Sequence, residues 1–346
     1  MIILQLEDEP WDSGIAHYAL TLSIELKRRG HEVHFWGREG SAPLAEAGRA
    51  GLKPRGLRRP WLELPALRRE LRRLRVSLIN AHTGSGHALA AALAAGTAAA
   101  VVRTRGDVRP AARHFLARAL ARRTRAFIAA NSRIQQELRL GFPGSRVELV
   151  FQGIADAPRR TPLPESPVFG ILGRLDAVKG HEVVMEAAAR LKTGRWLAMG
   201  KGDPARRASL ERHARRLGLD DAWQFMGFVD DIWPRLGQCR VGVVASLGSE
   251  AVSRAALEWM AAGRPVVASG VGCLPDLVED GKTGFLVPPG DAQALAAALA
   301  GFISEPALAD RLGAAARERF EKRFCLARFA DETERIYGEL LGRLPS

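Results

Sequence analysis

Apolar residues recur along the chain in short blocks separated by longer amphipathic stretches. Residues 1–6 form an apolar run of strand length. Residues 15–29 carry Ile15, Ala19, Leu22 and Leu26 at helical spacing and stop at Gly30, a residue suited to ending a helix. Residues 32–36, 77–80, 98–103 and 126–130 read as further short strands, with helices over 87–95 and 113–123. Segment 155–167 is polar and holds Pro158, Pro162, Pro164 and Pro167, the composition of a linker. The rhythm then restarts, with strands over 168–172, 195–199, 223–226, 240–245, 265–268 and 284–287. Helices over 180–191, 204–217, 251–262 and 291–303 alternate with them, and a helical tail runs from about 306. Such alternation predicts parallel, doubly wound sheets. We expect two α/β domains, 1–157 and 158–346, with the final helix able to pack back on the first. Ligands are expected at the carboxyl ends of the strands.

Composition narrows the class. With 346 residues the chain fits two domains of about 150 residues each. Hydrophobic residues at 47% and charged residues at 26% exclude a disordered chain. No apolar run reaches the roughly 18 residues of a membrane span. The first block meets Glu7 without a basic flank, so it reads as a strand rather than a signal peptide. Cys239, Cys273 and Cys325 are isolated, which excludes a disulfide framework or a paired-cysteine metal knuckle and suits a cytoplasmic setting.

Charge adds a partner class. The net charge is +13, and residues 1–166 hold 27 basic against 15 acidic side chains while the remainder is nearly balanced. An excess confined to one half points to a polyanionic partner. Two stretches concentrate it. Residues 53–75 carry nine basic and two acidic residues, with Leu64, Leu67, Leu71 and Leu74 making one apolar helix stripe behind Trp61. Residues 103–125 carry eight arginines against Asp107. A basic amphipathic surface of this kind suits an anionic membrane, met peripherally on the inner face, or a phosphorylated glycolipid.

Several motifs carry chemistry. The Gly-rich, Lys-terminated P-loop is absent. Gly200-Lys201-Gly202-Asp203-Pro204-Ala205, with Asp220 downstream, fits a dinucleotide turn only weakly, because Pro204 falls inside it. Glu7, Asp8, Glu9 and Asp12 cluster after the first strand without His or Cys, a weak metal candidate. In Gly173-Arg174-Leu175-Asp176-Ala177-Val178-Lys179-Gly180 two cations follow a buried strand and precede a helix. Fixed cations and amide donors there can stabilise a departing diphosphate. Glu250 and Glu258 stand eight residues apart, about 12 Å along a helix, which suits contacts with two ends of one extended ligand. A carboxylate accepts two hydrogen bonds and so matches a vicinal diol.

Together these residues carry a resemblance. The ordered series is Gly173-Arg174 with Lys179-Gly180, then Glu250 and Glu258, then Met260-Ala261-Ala262-Gly263-Arg264-Pro265-Val266-Val267-Ala268. Asp280-Gly281-Lys282-Thr283-Gly284-Phe285-Leu286-Val287 follows. In the first half Gly30-His31-Glu32-Val33 and Gln152-Gly153-Ile154 fit as well. The chain resembles the retaining family 4 glycosyltransferases of the GT-B fold, which are two Rossmann-like domains facing a cleft. The resemblance implies sugar transfer from a nucleotide-sugar, a UDP-sugar first of all, with retention and without a metal or further cofactor. It implies that Arg174 and Lys179 hold the diphosphate, Glu258 the ribose diol and Glu250 the transferred sugar. Gly173, Ser253 and Gly14 line the donor, Gly227, Phe228 and Val229 flank the base, and His82 contacts the sugar. The reaction it implies is a front-face displacement in which the leaving phosphate oxygen deprotonates the acceptor hydroxyl; Glu9 and Asp12 are candidates for orienting that acceptor. Three positions depart from the pattern: Ser13-Gly14 replaces a double glycine, Val271-Gly272 replaces another, and Asp276 stands in place of Glu. A sugar-nucleotide epimerase is the alternative on this architecture. A nucleic-acid-binding role is disfavoured, since two tyrosines supply few stacking platforms.

Overall fold

The computed structural model describes residues 1–11, 13–107, 114–158, 161–248 and 250–342. The chain forms two compact units, Met1–Gly153 with Leu326–Ser346, and Ile154–Cys325.

The strands of the first unit are β1 (Ile2–Glu7), β2 (Glu32–Arg38), β3 (Lys53–Leu57), β4 (Leu78–Ala81), β5 (Ala100–Arg105), β6 (Ala126–Ala129) and β7 (Val147–Leu149). Its helices are α1 (Gly14–Arg28), α2 (Ala42–Arg49), α3 (Leu64–Leu74), α4 (Gly84–Ala94), α5 (Phe115–Arg122) and α6 (Ser132–Gly141). The strands form one sheet in the order β3-β2-β1-β4-β5-β6-β7, and every neighbouring pair is parallel. Strand order reverses between β1 and β4, so the loops after these two strands flank a crevice where α/β sheets bind ligands. Connections through α1 and α2 step one way across the sheet, and those through α3 to α6 step the other way. Right-handed crossovers therefore place the two sets on opposite faces.

The second unit contains β8 (Val168–Leu172), α7 (His181–Leu191), β9 (Arg195–Met199), α8 (Pro204–Arg216), β10 (Trp223–Gly227), α9 (Trp233–Gly237) and β11 (Val241–Val244). It continues through α10 (Arg254–Ala261), β12 (Val266–Ser269), α11 (Leu274–Leu277), β13 (Gly284–Val287), α12 (Ala292–Ser304) and α13 (Pro306–Arg323). The sheet order is β10-β9-β8-β11-β12-β13, again parallel, with its reversal between β8 and β11. Phe169, Ile171, Val241, Val243 and Val267 build its core with Trp196 and Phe302. Arg264 is buried and donates to the carbonyls of Thr161, Pro162, Ala262, Leu236 and Gly237, so one guanidinium fastens the proline-rich segment to the sheet.

The helical tail is broken at Phe324 and Cys325, and α14 (Leu326–Leu340) packs on α1 in the first unit. Arg29 bonds Asp331 and Glu334 at 2.6 Å each, and the Tyr18 and Phe329 rings meet edge to face at 4.7 Å. Buried Asn80 is the centre of this attachment. Its Oδ1 accepts from Thr104 of β5, and its Nδ2 donates to the Tyr337 hydroxyl at 2.7 Å. Tyr337→Phe strands that buried donor and should lower unfolding free energy by about 1–3 kcal/mol. Denaturant titration checks this; an unchanged midpoint would remove the bond from the list of stabilising contacts.

Candidate active site

The sheet reversal of the second unit brings two loops together. The loop after β8 runs through Gly173 and Arg174 to a 3-10 turn, Ala177–Lys179, and then α7. Gly180 joins the turn to α7 at φ 68°, and a Cβ there would lie 2.1 Å from the Ala245 carbonyl oxygen. Only glycine lets the two loops approach so closely. Leu247 N donates to Val178 O at 2.8 Å across the gap. Arg174 is two-thirds exposed and pairs with Asp176 at 2.8 Å. Its backbone carbonyl accepts from His181 Nε2 at 3.0 Å, and burial lowers the pKa of that fully buried ring, so it bonds as a neutral donor.

Lys179 reaches over Gly173 to form an ion pair with Glu250, which is 3% exposed. The same Glu250 oxygen, Oε1, accepts from Ser246 Oγ at 2.5 Å, and the Glu250 carbonyl accepts from Cys273 N at 2.7 Å. A predicted diphosphate cation and a predicted sugar carboxylate are therefore direct partners. The structure corrects one expectation. Glu250 lies in the loop before α10, so its separation from Glu258 is not measured along one helix. Ser253 occupies the N-cap position, and its buried Oγ has no hydrogen-bond partner among the described residues. Glu258 faces inward and bonds Arg254 at 3.0 Å. Ser249 lies outside the described residues.

Gly227, Phe228 and Val229 follow at the end of β10. Phe228 is 60% exposed, and Lys201 Nζ stands 3.9 Å from its ring centroid. The sequence motif around Lys201 suggested a dinucleotide turn; it did not suggest this contact.

In the first unit the candidates gather after β1 and β4. His82 is buried, its Nε2 bonds the Gln5 side-chain oxygen Oε1 at 2.7 Å, and its Nδ1 has no partner among the described residues. Burial, with Arg103 nearby, pulls its pKa down to about 3. Glu7 is fully buried, and burial raises its carboxyl to about 8 against the lowering hydrogen bond from Glu9 N at 2.9 Å. Asp8 accepts from Thr83 Oγ1, while Gly14 opens α1, whose N-cap is Ser13. Asp12 lies outside the described residues. Among the described residues no three His, Cys, Asp or Glu side chains gather as a metal site.

The basic stretches are also resolved in part. Leu67 and Leu71 are buried against the sheet, and Arg69, Arg72 and Arg73 are exposed on α3. Arg103 and Arg105 prove to be buried on β5, paired with Asp107 at 3.4 and 3.1 Å, so they do not join the outer basic surface. Arg109 and Arg113 lie outside the described residues. On α5 the apolar Phe115 and Leu116 are exposed beside Arg118 and Arg122.

Comparison with known proteins agrees with this layout. Residues 166–305 match the family model described as glycosyl transferases group 1, and residues 13–157 match glycosyltransferase family 4. The D-inositol 3-phosphate glycosyltransferase of Streptomyces avermitilis is 33% identical over 189 residues, covering 49% of this chain and 39% of that protein. The lipopolysaccharide core biosynthesis mannosyltransferase LpcC of Rhizobium leguminosarum bv. viciae is 32% identical over 197 residues, covering 54% and 55%. The aligned chain thus spans about half or less of these curated relatives. A glycosyltransferase from Rickettsia africae superposes with TM-score 0.89 at 20% identity over 98% of both chains. Anabaena HepE in complex with UDP superposes with TM-score 0.86 at 21% identity over 98% of this chain and 100% of that one. Likeness at such identity concerns the fold, whereas the two family matches fall one on each half and together span most of the sequence. The chain belongs to the family 4 glycosyltransferases and has their GT-B fold.

Proposed function

We propose that this protein transfers a glycosyl group from a nucleotide-sugar to a glycan or glycolipid hydroxyl, with retention of anomeric configuration. The observation that carries this reading is the cluster of Arg174, Lys179, Ser246 and Glu250 at the β8/β11 reversal. It offers fixed positive charge beside a carboxylate that accepts hydrogen bonds. In this reading Arg174 and Lys179 stabilise the departing diphosphate, so the reaction proceeds without a metal. Glu250 holds hydroxyls of the transferred sugar, and inward-facing Glu258 takes the ribose diol. The departing phosphate oxygen accepts the acceptor's proton, and no separate base is required. The UDP complex of Anabaena HepE supports a UDP-sugar as the first donor to try. Three of the four relatives described above carry a transferase name, which supports transfer over epimerisation.

The acceptor reading rests on the first unit. Helices α3 and α5 lie on one face of its sheet by the crossover rule. That face combines the exposed arginines of α3 and α5 with Phe115 and Leu116, and Trp61 and Leu62 stand exposed just before α3. Cationic side chains beside exposed aromatic and aliphatic ones suit peripheral docking on an anionic membrane carrying a glycolipid acceptor. The lipopolysaccharide core transferase among the relatives supports the same class of acceptor.

Arg174→Ala and Lys179→Gln should each cut turnover by about 10²–10³ at saturating donor. EDTA should leave turnover intact. Melting curves separate this loss from unfolding, and near-normal turnover in both folded variants would remove the leaving-group role. Glu258→Gln should weaken UDP binding by the equivalent of about 1.5–3 kcal/mol, whereas Glu250→Gln should spare UDP affinity and impair transfer. Calorimetry with UDP checks the pair, and exchanged phenotypes would reverse the ligand's orientation. Finally, the chain should sediment with anionic but not neutral liposomes, less so at high salt, and Arg69, Arg72 and Arg73 replaced by Ser should release it. Equal sedimentation with both liposome types would exclude charge-driven docking.

A further inference from the structure

Three adjacent strands of the second unit end in the same way. Gly173-Arg174 follows β8, Gly200-Lys201 follows β9, and Gly227-Phe228 ends β10. The glycines let these ends close up. A Cβ on Gly200 would lie 1.8 Å from the Gly173 carbonyl oxygen, and Gly200 N donates to Gly227 O at 2.8 Å. Leu175 N donates to Lys201 O at 2.8 Å, which pins the Lys201 backbone beside Arg174. Side chains of Arg174, Lys201 and Phe228 therefore leave the sheet edge in that order. Strands sit about 4.8 Å apart, so the first and third stand about 10 Å apart along the edge, a span that a ribose bridges between phosphate and base.

Lys201 leans to the Phe228 end of this row. Its ammonium sits over the ring at 3.9 Å, where the aromatic quadrupole attracts it. Among the described residues no carboxylate pairs with it, and neighbouring Asp203 accepts instead from Arg206 N at 2.9 Å as the cap of α8. The ring remains 60% exposed and open to a planar base. An ammonium donates three hydrogen bonds and accepts none. It complements a base whose edge carries a carbonyl, such as O4 of uracil or O6 of guanine. It is mismatched to cytosine or adenine, which present an amino donor at the same edge.

We propose that Lys201, held by Phe228, is a base-reading residue that selects a nucleotide donor with a keto base. The proposal rests on the donor site described above and adds to it a side chain that chooses among donors. Calorimetric titration of the intact chain with UDP, CDP, GDP and ADP tests it. The wild type should bind UDP more tightly than CDP, and GDP more tightly than ADP. Lys201→Met should weaken UDP and GDP about tenfold or more while leaving CDP and ADP where they were, and Lys201→Arg should keep the preference. Uniform weakening of all four nucleotides in Lys201→Met would make Lys201 a phosphate contact and overturn the proposal, as would four unchanged affinities. If the wild type bound none of the four, the donor site itself would fall and this proposal with it. Loss of the wild-type melting transition in Lys201→Met would transfer the decision to Lys201→Arg, whose loss of keto preference would count against a simple ammonium-like donor.

Discussion

A carboxylate removed from water needs a partner, and Glu250 has two on a single oxygen, the Lys179 ammonium and the Ser246 hydroxyl. Leaving it unpaired in so buried a place would be strongly destabilising. The loops after β8 and β11 are consequently tied by charge as well as by the Val178–Leu247 backbone bond. Gly180 is required because the tie draws that turn against Ala245. The start of α10 is fixed by the same restraint, since Glu250 is held in the loop and the helix begins only after Ser253. Without ligand the cluster is largely self-neutralising. In the proposed reading, a diphosphate arriving at Arg174 would compete with Glu250 for Lys179, and binding would redistribute charge already in place.

Most of the strands were legible because a strand buried on both faces reads as an unbroken apolar run, as in Val168–Leu172 or Val241–Val244. β3 was not legible. Its sequence, Lys-Pro-Arg-Gly-Leu, suits an edge strand, where proline and exposed basic residues are tolerated, but a single buried Leu57 makes no apolar run. The motif after β8 was legible because its cations and glycines are close in sequence. Glu250 and Glu258 were identified as a pair but assigned one helix, because residue spacing does not reveal that a charge contact holds the first outside it. Lys201 is not legible as a ligand residue because its partner Phe228 lies 27 residues on, after a different strand. Arg103 and Arg105 misled in the opposite direction. A run of arginines looks like surface until Asp107 and the Ala81 carbonyl are seen to accept from them inside.

The first unit concentrates buried polar groups at its own sheet reversal. Glu7, His82 and Arg103 share a region in which burial favours a protonated carboxyl and a neutral imidazole. Burial disfavours the charged state of each, and the choice at one site shifts the field at its neighbours. Asn80, equally buried, bonds both Thr104 and Tyr337. Polar side chains in such numbers specify one arrangement of β1, β4 and β5, because a shift of register would strand several donors and acceptors together.

The attachment of α14 has a consequence for the order of folding. Since the first unit includes residues from Leu326 onward, the second unit is an insertion between its parts. A chain emerging from the ribosome presents all of Ile154–Cys325 before the helix that covers Tyr18 and supplies Tyr337 to Asn80. The second unit is therefore able to close first, while the earlier-made unit waits with an open apolar flank and an unsatisfied amide. The points where the chain leaves and returns lie side by side, for Ile154 bridges Cys325 and its N–H bonds the Phe324 carbonyl at 3.2 Å. Once folded, the inserted unit thus holds its two ends together, and the last helix is delivered back to the place from which the chain departed.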